Sequence, residues 1–100
     1  MTKKSMLKLD IVVPLYNDEE VVEKLCETVF STLENTFKAV RLIMIDDGSV
    51  DESYNLALRM REKYDGVEVI KLAGNFGQHR AILAGLRSTS ADLVAVMDSD

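Results

Sequence analysis

Two carboxylates one residue apart, Asp98 and Asp100, follow an apolar run over residues 93–97. If the extended backbone of that run continues, alternation points both side chains the same way. Mg²⁺ and Mn²⁺ prefer carboxylate and phosphate oxygens and usually keep bound waters. The pair therefore predicts a site that holds a divalent cation against a diphosphate. The alternative is two solvated acids at the end of a strand.

A second acidic pair, Asp46 and Asp47, follows another apolar run and precedes Gly48 and Ser49. Asp, Gly and Ser are frequent turn residues, and Ser49 with Glu52 has the spacing of a helix capping box. Turn formation does not, however, require two adjacent acids, which repel each other. A carboxylate here could accept the N3–H of a uracil or the N–H groups of a guanine, so we predict that one of the two acids contacts a nucleobase.

The segment after the first apolar run carries further candidates. Tyr16 offers a ring that can flank a base, and Asp18 offers an acceptor for a ribose or a base, while Asn17 is predicted to cap the first helix. His79 and Arg80 begin the third predicted helix. A positive charge near a helix N-terminus is unfavourable, so Arg80 at this position indicates an anionic neighbour. The alternative is that both side chains are simply exposed to solvent.

Apolar runs and helical stripes alternate along the chain. Strands are predicted at residues 9–15, 40–45, 67–72 and 93–97, and helices from Asn17 to residue 33, from about 51 to 64 and from 78 to about 88. Four apolar strands separated by three helices predict an α/β fold with a parallel sheet and right-handed crossovers. Every polar cluster described above then falls at the carboxyl end of a strand, where such sheets bind ligands.

Composition narrows the class of protein. The 100 residues are 47% hydrophobic and 29% charged, with a net charge of −5, which is typical of a globular domain and disfavours a nucleic-acid partner. The single cysteine, Cys26, excludes an internal disulfide and falls on the apolar side of the first predicted helix, where we expect a buried structural thiol. No segment has the composition of a signal peptide or a membrane span. The glycine-rich motifs of dinucleotide-binding and P-loop proteins are also absent from the sequence.

Three motifs in order, residues 11–17 (IVVPLYN), 45–51 (IDDGSVD) and 96–100 (VMDSD), resemble family 2 glycosyltransferases of the GT-A fold. The resemblance spans nearly the whole chain and implies a Rossmann-like sheet in the order 3-2-1-4 with three crossover helices. It implies that residues 1–100 are the N-terminal, nucleotide-sugar-binding part of a longer domain. The implied site residues are Pro14, Tyr16, Asn17, Asp18, Ile45, Asp47, Asp98 and Ser99 for the nucleotide, with Asp98 and Asp100 also for the metal.

The sequence around the third predicted helix indicates a subgroup within this family. Residues 75–79 (NFGQH) followed by 81–85 (AILAG) look like the polyprenyl-phosphate sugar transferases, whereas many other members have Arg-Asn where Ile82 and Leu83 stand. One departure is Asp18, which replaces the more common Glu and shortens that contact by a methylene. The resemblance implies an inverting, Mg²⁺- or Mn²⁺-dependent transfer of sugar from a UDP-sugar, or a GDP-sugar, to a polyprenyl phosphate. It also implies a cytoplasmic enzyme at the inner face of the membrane.

Alternative functions are a transferase that acts on a sugar hydroxyl, a phospho-acceptor signalling domain, and a fragment that binds but does not catalyse. The signalling domain fits poorly because its acid pair should follow the first strand and a lone Asp the third. Because the chain stops just after its last strand, we expect the catalytic residues to lie beyond residue 100 and the fragment alone to be inactive. The apolar strand over residues 93–97 would then form an exposed edge, through which we expect the chain to self-associate.

Overall fold

A computed structural model describes residues 5–99 of the chain. Its strands and helices alternate in the order β1 (Lys8–Leu15), α1 (Val22–Leu33), β2 (Ala39–Asp46), α2 (Ser53–Lys63), β3 (Val67–Lys71), α3 (Gln78–Leu86) and β4 (Leu93–Val96). The strands form one sheet in the order β3-β2-β1-β4, and all three neighbouring pairs are parallel. The predicted α/β class, strand order and three crossover helices are therefore confirmed, and no predicted element end is shifted by more than five residues.

The sheet lies between two helical layers because its central strands are apolar on both faces. On one face, β1 and β2 pack against α1 and α2 through a large cluster that includes Ile11, Met44 and Cys26. On the other face they pack against α3 through a smaller cluster of Val12, Ile43, Ile45 and Ala81, the last from α3. The nearly continuous apolar runs of the sequence thus belong to strands that are covered on both sides.

Helix α3 lies very close to the sheet at Gly85. A Cβ atom at this position would lie 2.5 Å from Cγ1 of Val12 and 2.6 Å from Cδ1 of Ile45. Only a residue without a side chain allows this approach, so Gly85 sets the distance between α3 and the two central strands.

An ion pair between a buried acid and a half-buried arginine holds the end of the sheet opposite the polar clusters. The Arg41 guanidinium donates to both carboxylate oxygens of Asp10, at 3.1 and 2.7 Å, and to the Ser88 carbonyl at 2.7 Å. The backbone N–H groups of Ser90 and Ala91 donate to the same carboxylate. Burial acts to raise the pKa of Asp10, but these hydrogen bonds and the Arg41 charge leave the pKa below its ordinary value. The cluster fixes the connection between α3 and β4.

The two predicted helix caps are wrong. Helix α1 begins at Val22, five residues after Asn17, and Asn17 adopts a left-handed backbone with φ of 54°. Helix α2 begins at Ser53, so Ser49 lies too far upstream to cap it. Both side chains instead bond across two adjacent loops: the Asn17 N–H donates to Ser49 Oγ at 2.9 Å, and the Val50 N–H donates to Asn17 Oδ1 at 2.9 Å.

The reason for these cross-loop bonds is the pairing of the strands. Strands β1 and β2 are parallel neighbours whose ends, Leu15 and Asp46, lie opposite each other. The loops that follow must therefore run side by side, and polar side chains with capping potential find backbone partners in the other loop. The same arrangement recurs where the Asp18 N–H donates to Ser53 Oγ at 2.7 Å.

Candidate functional site

A cavity of about 480 Å³ opens at the carboxyl ends of the central strands. Its lining comes from the end of β1 and from the segments that follow the four strands: Pro14, Leu15, Tyr16, Asp18, Asp47, Asn75, Gly77, Gln78, Asp98 and Ser99. Six of the eight residues predicted to bind a nucleotide are in this lining. The four segments meet here because parallel strands place all their carboxyl ends at one edge of the sheet.

Asp47 is the member of the second acidic pair that reaches the cavity. Its carboxylate is 4% exposed, and its two oxygens accept from the N–H groups of Phe76 at 2.8 Å and Gly77 at 3.0 Å. An ionised carboxylate has about four acceptor positions, so these two bonds leave capacity for a ligand. Asp47 therefore holds the loop between β3 and α3 and can still accept a hydrogen bond from the cavity.

Asp46 is fully buried and lies outside the cavity lining. One of its oxygens accepts from the Ser49 N–H at 3.2 Å, and the other has no hydrogen-bond partner within the described residues. Consecutive side chains along a strand point to opposite sides. For this reason Asp47 faces the cavity and Asp46 does not.

Tyr16 and Asp18 form one wall of the cavity. The Tyr16 side chain is 49% exposed, which leaves its ring available to a ligand. Asp18 Oδ2 accepts from the Tyr16 N–H at 2.9 Å and so closes the turn that carries both residues. The shorter side chain of Asp18, relative to Glu, suits this local bond.

Asp98 faces the cavity from the segment that follows β4. Its Oδ1 accepts from the Gln78 side-chain amide, with 3.1 Å between the nitrogen and the oxygen. Gln78 was not among the predicted site residues, although its position directly after the Asn75–Gly77 loop was a usable signal. Asp100, the second predicted metal ligand, lies outside the described residues.

The other predicted candidates lie away from the cavity. Ile45 is fully buried beneath α3, and Asn17 is occupied in the loop contact described above. His79 and Arg80 are exposed on α3 outside the lining, in agreement with the simpler of their two interpretations. Cys26 is buried, as expected, and burial raises the pKa of its thiol to about 11, which keeps it protonated.

The charge of the cavity is uniformly negative. Asp18, Asp47 and Asp98 line it, and in the chain as described (residues 5–99) no Lys or Arg does. A diphosphate would be repelled here unless a cation accompanied it. In that same part of the chain no three His, Cys, Asp or Glu side chains are grouped to enclose a metal ion. This donor set still fits Mg²⁺ or Mn²⁺, since one or two carboxylates commonly bind them together with substrate phosphates and water.

Comparison with known proteins agrees with this fold. The undecaprenyl-phosphate 4-deoxy-4-formamido-L-arabinose transferase of Salmonella choleraesuis is 36% identical over 94 residues, which cover 93% of this chain and 29% of the relative. The chain spans about 30% of the length of its curated relatives. None of the helices within residues 5–99 is long and apolar enough to cross a membrane.

Two solved structures share the fold. A mannosyltransferase, PcManGT from Pyrobaculum calidifontis, in complex with GDP-Man and Mn²⁺ superposes with a TM-score of 0.83 at 17% identity, over 95% of this chain and 28% of that one. TarS from S. aureus, residues 1–349 in complex with UDP-GlcNAc, gives a TM-score of 0.79 at 24% identity, over 94% and 27%. At these identities the likeness concerns the fold alone. Residues 10–100 match the family described as glycosyl transferase family 2, and the chain therefore belongs to that family of enzymes.

Proposed function

We propose that this chain forms the nucleotide-binding part of an inverting, metal-dependent glycosyltransferase that transfers a sugar from a UDP-sugar, or a GDP-sugar, to a polyprenyl phosphate. The observation that carries the proposal is the cavity at the carboxyl edge of the sheet, lined by three carboxylates and, among residues 5–99, by no basic side chain. Such a site suits a diphosphate that arrives with a divalent cation.

The donor class has support from the solved relatives. One contains GDP-Man with Mn²⁺ and another contains UDP-GlcNAc. In this chain Asp47 would accept an N–H of the base, the Tyr16 ring would flank it, and Asp18 would accept from the base or ribose. Pro14 and Ser99 complete the lining around the nucleotide.

Asp98, together with Asp100, would hold the metal at the diphosphate. The ion would supply positive charge against the charge that develops on the leaving diphosphate. Asp98 Oδ1 accepts a hydrogen bond from the Gln78 amide, which would orient that oxygen and leave Oδ2 available to the metal.

The acceptor class rests on the relatives' names, which specify undecaprenyl phosphate. In the proposed reaction, an acceptor phosphate oxygen attacks the anomeric carbon from the face opposite the nucleotide. The bond between that carbon and the diphosphate oxygen breaks as the new bond forms, so the configuration inverts. A phosphate acceptor is already anionic and needs no general base, and its lipid would place the enzyme at the cytoplasmic face of the membrane.

Calorimetric titration with UDP and GDP, each with and without Mn²⁺, tests the donor site. We expect Mn²⁺ to tighten UDP binding, because it offsets repulsion between the diphosphate and the cavity carboxylates. Asp98→Asn should remove most of this gain in affinity. Asp65 is an exposed acid in the turn before β3, so Asp65→Asn should leave the gain unchanged. Equal nucleotide affinities with and without metal would refute the metal assignment. Transfer of labelled sugar to undecaprenyl phosphate, and not to a sugar hydroxyl, by the longer protein to which we propose this chain belongs tests the acceptor.

A further inference from the structure

We propose that Gln78 is a positioning residue that orients Asp98 for the metal and connects it to the nucleobase side of the cavity. The inference rests on the proposed function and extends it to a residue that contacts neither the base nor the reacting atoms. It is carried by hydrogen bonds that tie the consecutive residues 76–78 to Asp47 at one end and to Asp98 at the other.

These bonds start at Asp47, directly after β2, and end at Asp98, after β4. The Asp47 carboxylate binds the N–H groups of Phe76 and Gly77 at 2.8 and 3.0 Å, and the next residue, Gln78, donates its side-chain amide to Asp98 at 3.1 Å. Strands β2 and β4 are not neighbours, because β1 lies between them. The β3–α3 loop is thus the bridge that links the two acids.

The chemistry of an amide suits this task. The NH₂ group of a glutamine donates to a carboxylate without adding charge, so it can hold Asp98 Oδ1 and leave Oδ2 free for a cation. A Lys here would compete with the cation, and a Glu would repel Asp98. Groups that orient a metal ligand in this way commonly change metal affinity by 10- to 100-fold when they are removed.

The start of α3 holds Gln78 in place from both sides. Asp47 fixes the backbone of the two preceding residues, and Ala81, one turn later, is buried against the sheet. The Gln78 side chain therefore extends from a fixed point, although it is itself exposed. Movement of Asp47 when a base binds would be passed to Gln78 through the intervening backbone.

Manganese binding to the UDP-saturated protein, measured by the EPR signal of free Mn²⁺, tests the inference. We expect Gln78→Ala to weaken Mn²⁺ binding on the order of 10-fold. The same variant should retain the wild-type melting temperature and the wild-type affinity for UDP in the absence of metal. His79→Ala is the matched control, because His79 is the next residue on α3, is exposed and lies outside the cavity.

Uridine carries the base but no diphosphate. It can therefore change Mn²⁺ binding through the β3–α3 loop, but not through direct contact between the metal and a phosphate. We expect saturating uridine to tighten Mn²⁺ binding in the wild-type protein and to have a smaller effect in Gln78→Ala. Normal Mn²⁺ binding by Gln78→Ala, or an equal loss in His79→Ala, overturns the inference and leaves the proposed function intact. A wild-type protein whose UDP complex binds no Mn²⁺ overturns both.

Discussion

At the scale of single residues, the cavity shows side chains that combine a structural and a ligand-binding role. Asp47 is the clearest case, because the carboxylate proposed to read the base also binds two backbone N–H groups of the β3–α3 loop. A substitution there affects stability and affinity together. Any test of its role must therefore remove the base contact without disturbing the loop.

An N3-methylated UDP provides such a test, because it lacks the N–H that Asp47 would accept. We expect the wild-type protein to bind it more weakly than UDP by about 1–3 kcal/mol, the usual cost of an unpaired buried polar group. Asp47→Ala should bind both nucleotides weakly and about equally, and should also melt at a lower temperature because Phe76 and Gly77 lose their acceptor. Equal wild-type affinity for the two nucleotides would contradict the base-binding role.

At the scale of elements, the site depends on how closely α3 packs on the central strands. Gly85 permits that approach, and α3 begins at Gln78, whose side chain reaches Asp98. A small shift of this helix would therefore change the positions of cavity residues that are far from the point of contact.

We expect Gly85→Ala to destabilise the protein by about 1–3 kcal/mol, despite the better helix propensity of Ala, because the added methyl overlaps Val12 and Ile45. Gly74→Ala is the control, since a Cβ there meets only the Phe76 ring at 3.8 Å. Chemical denaturation of the three proteins gives the comparison. A Gly85→Ala protein as stable as the wild type would show that α3 can move away from the sheet without cost.

At the scale of the whole molecule, the exposed strand β4 is the main unprotected feature. It forms one edge of the sheet, and the side chains of Leu93, Val94, Val96 and Met97 are 37–49% exposed. An apolar edge strand without proline or inward charge tends to pair with another chain. Self-association of this 100-residue chain through residues 93–97 therefore stays a prediction.

Light scattering over a range of concentrations measures this association. We expect the chain to form at least dimers, and Val94→Lys to shift it toward monomer, because a lysine on an edge strand opposes pairing. Val50→Lys removes a more exposed apolar side chain, 88% accessible, from a loop outside the sheet and should leave association unchanged. A wild-type chain that stays monomeric at high concentration would refute the prediction.

The sequence by itself determined the element types, the parallel sheet and the edge at which the polar residues gather. These features depend on local periodicity: apolar runs mark doubly buried strands, amphipathic stripes mark helices, and the alternation of the two requires crossovers. The order 3-2-1-4 followed from the resemblance of three motifs to a known family. Six of the eight residues that the same resemblance implied for the nucleotide line the cavity.

Only the tertiary structure decided which partner each polar side chain takes. Asn17 and Ser49 have the residue types of helix caps, yet they bond to each other's loops across 32 residues of sequence. Likewise, Asp47 binds the N–H of Phe76, 29 residues away, and Gln78 binds an acid 20 residues away. A hydrogen bond forms with whichever group the packed strands bring within about 3 Å. That choice depends on strand register and helix depth, which local sequence patterns do not contain.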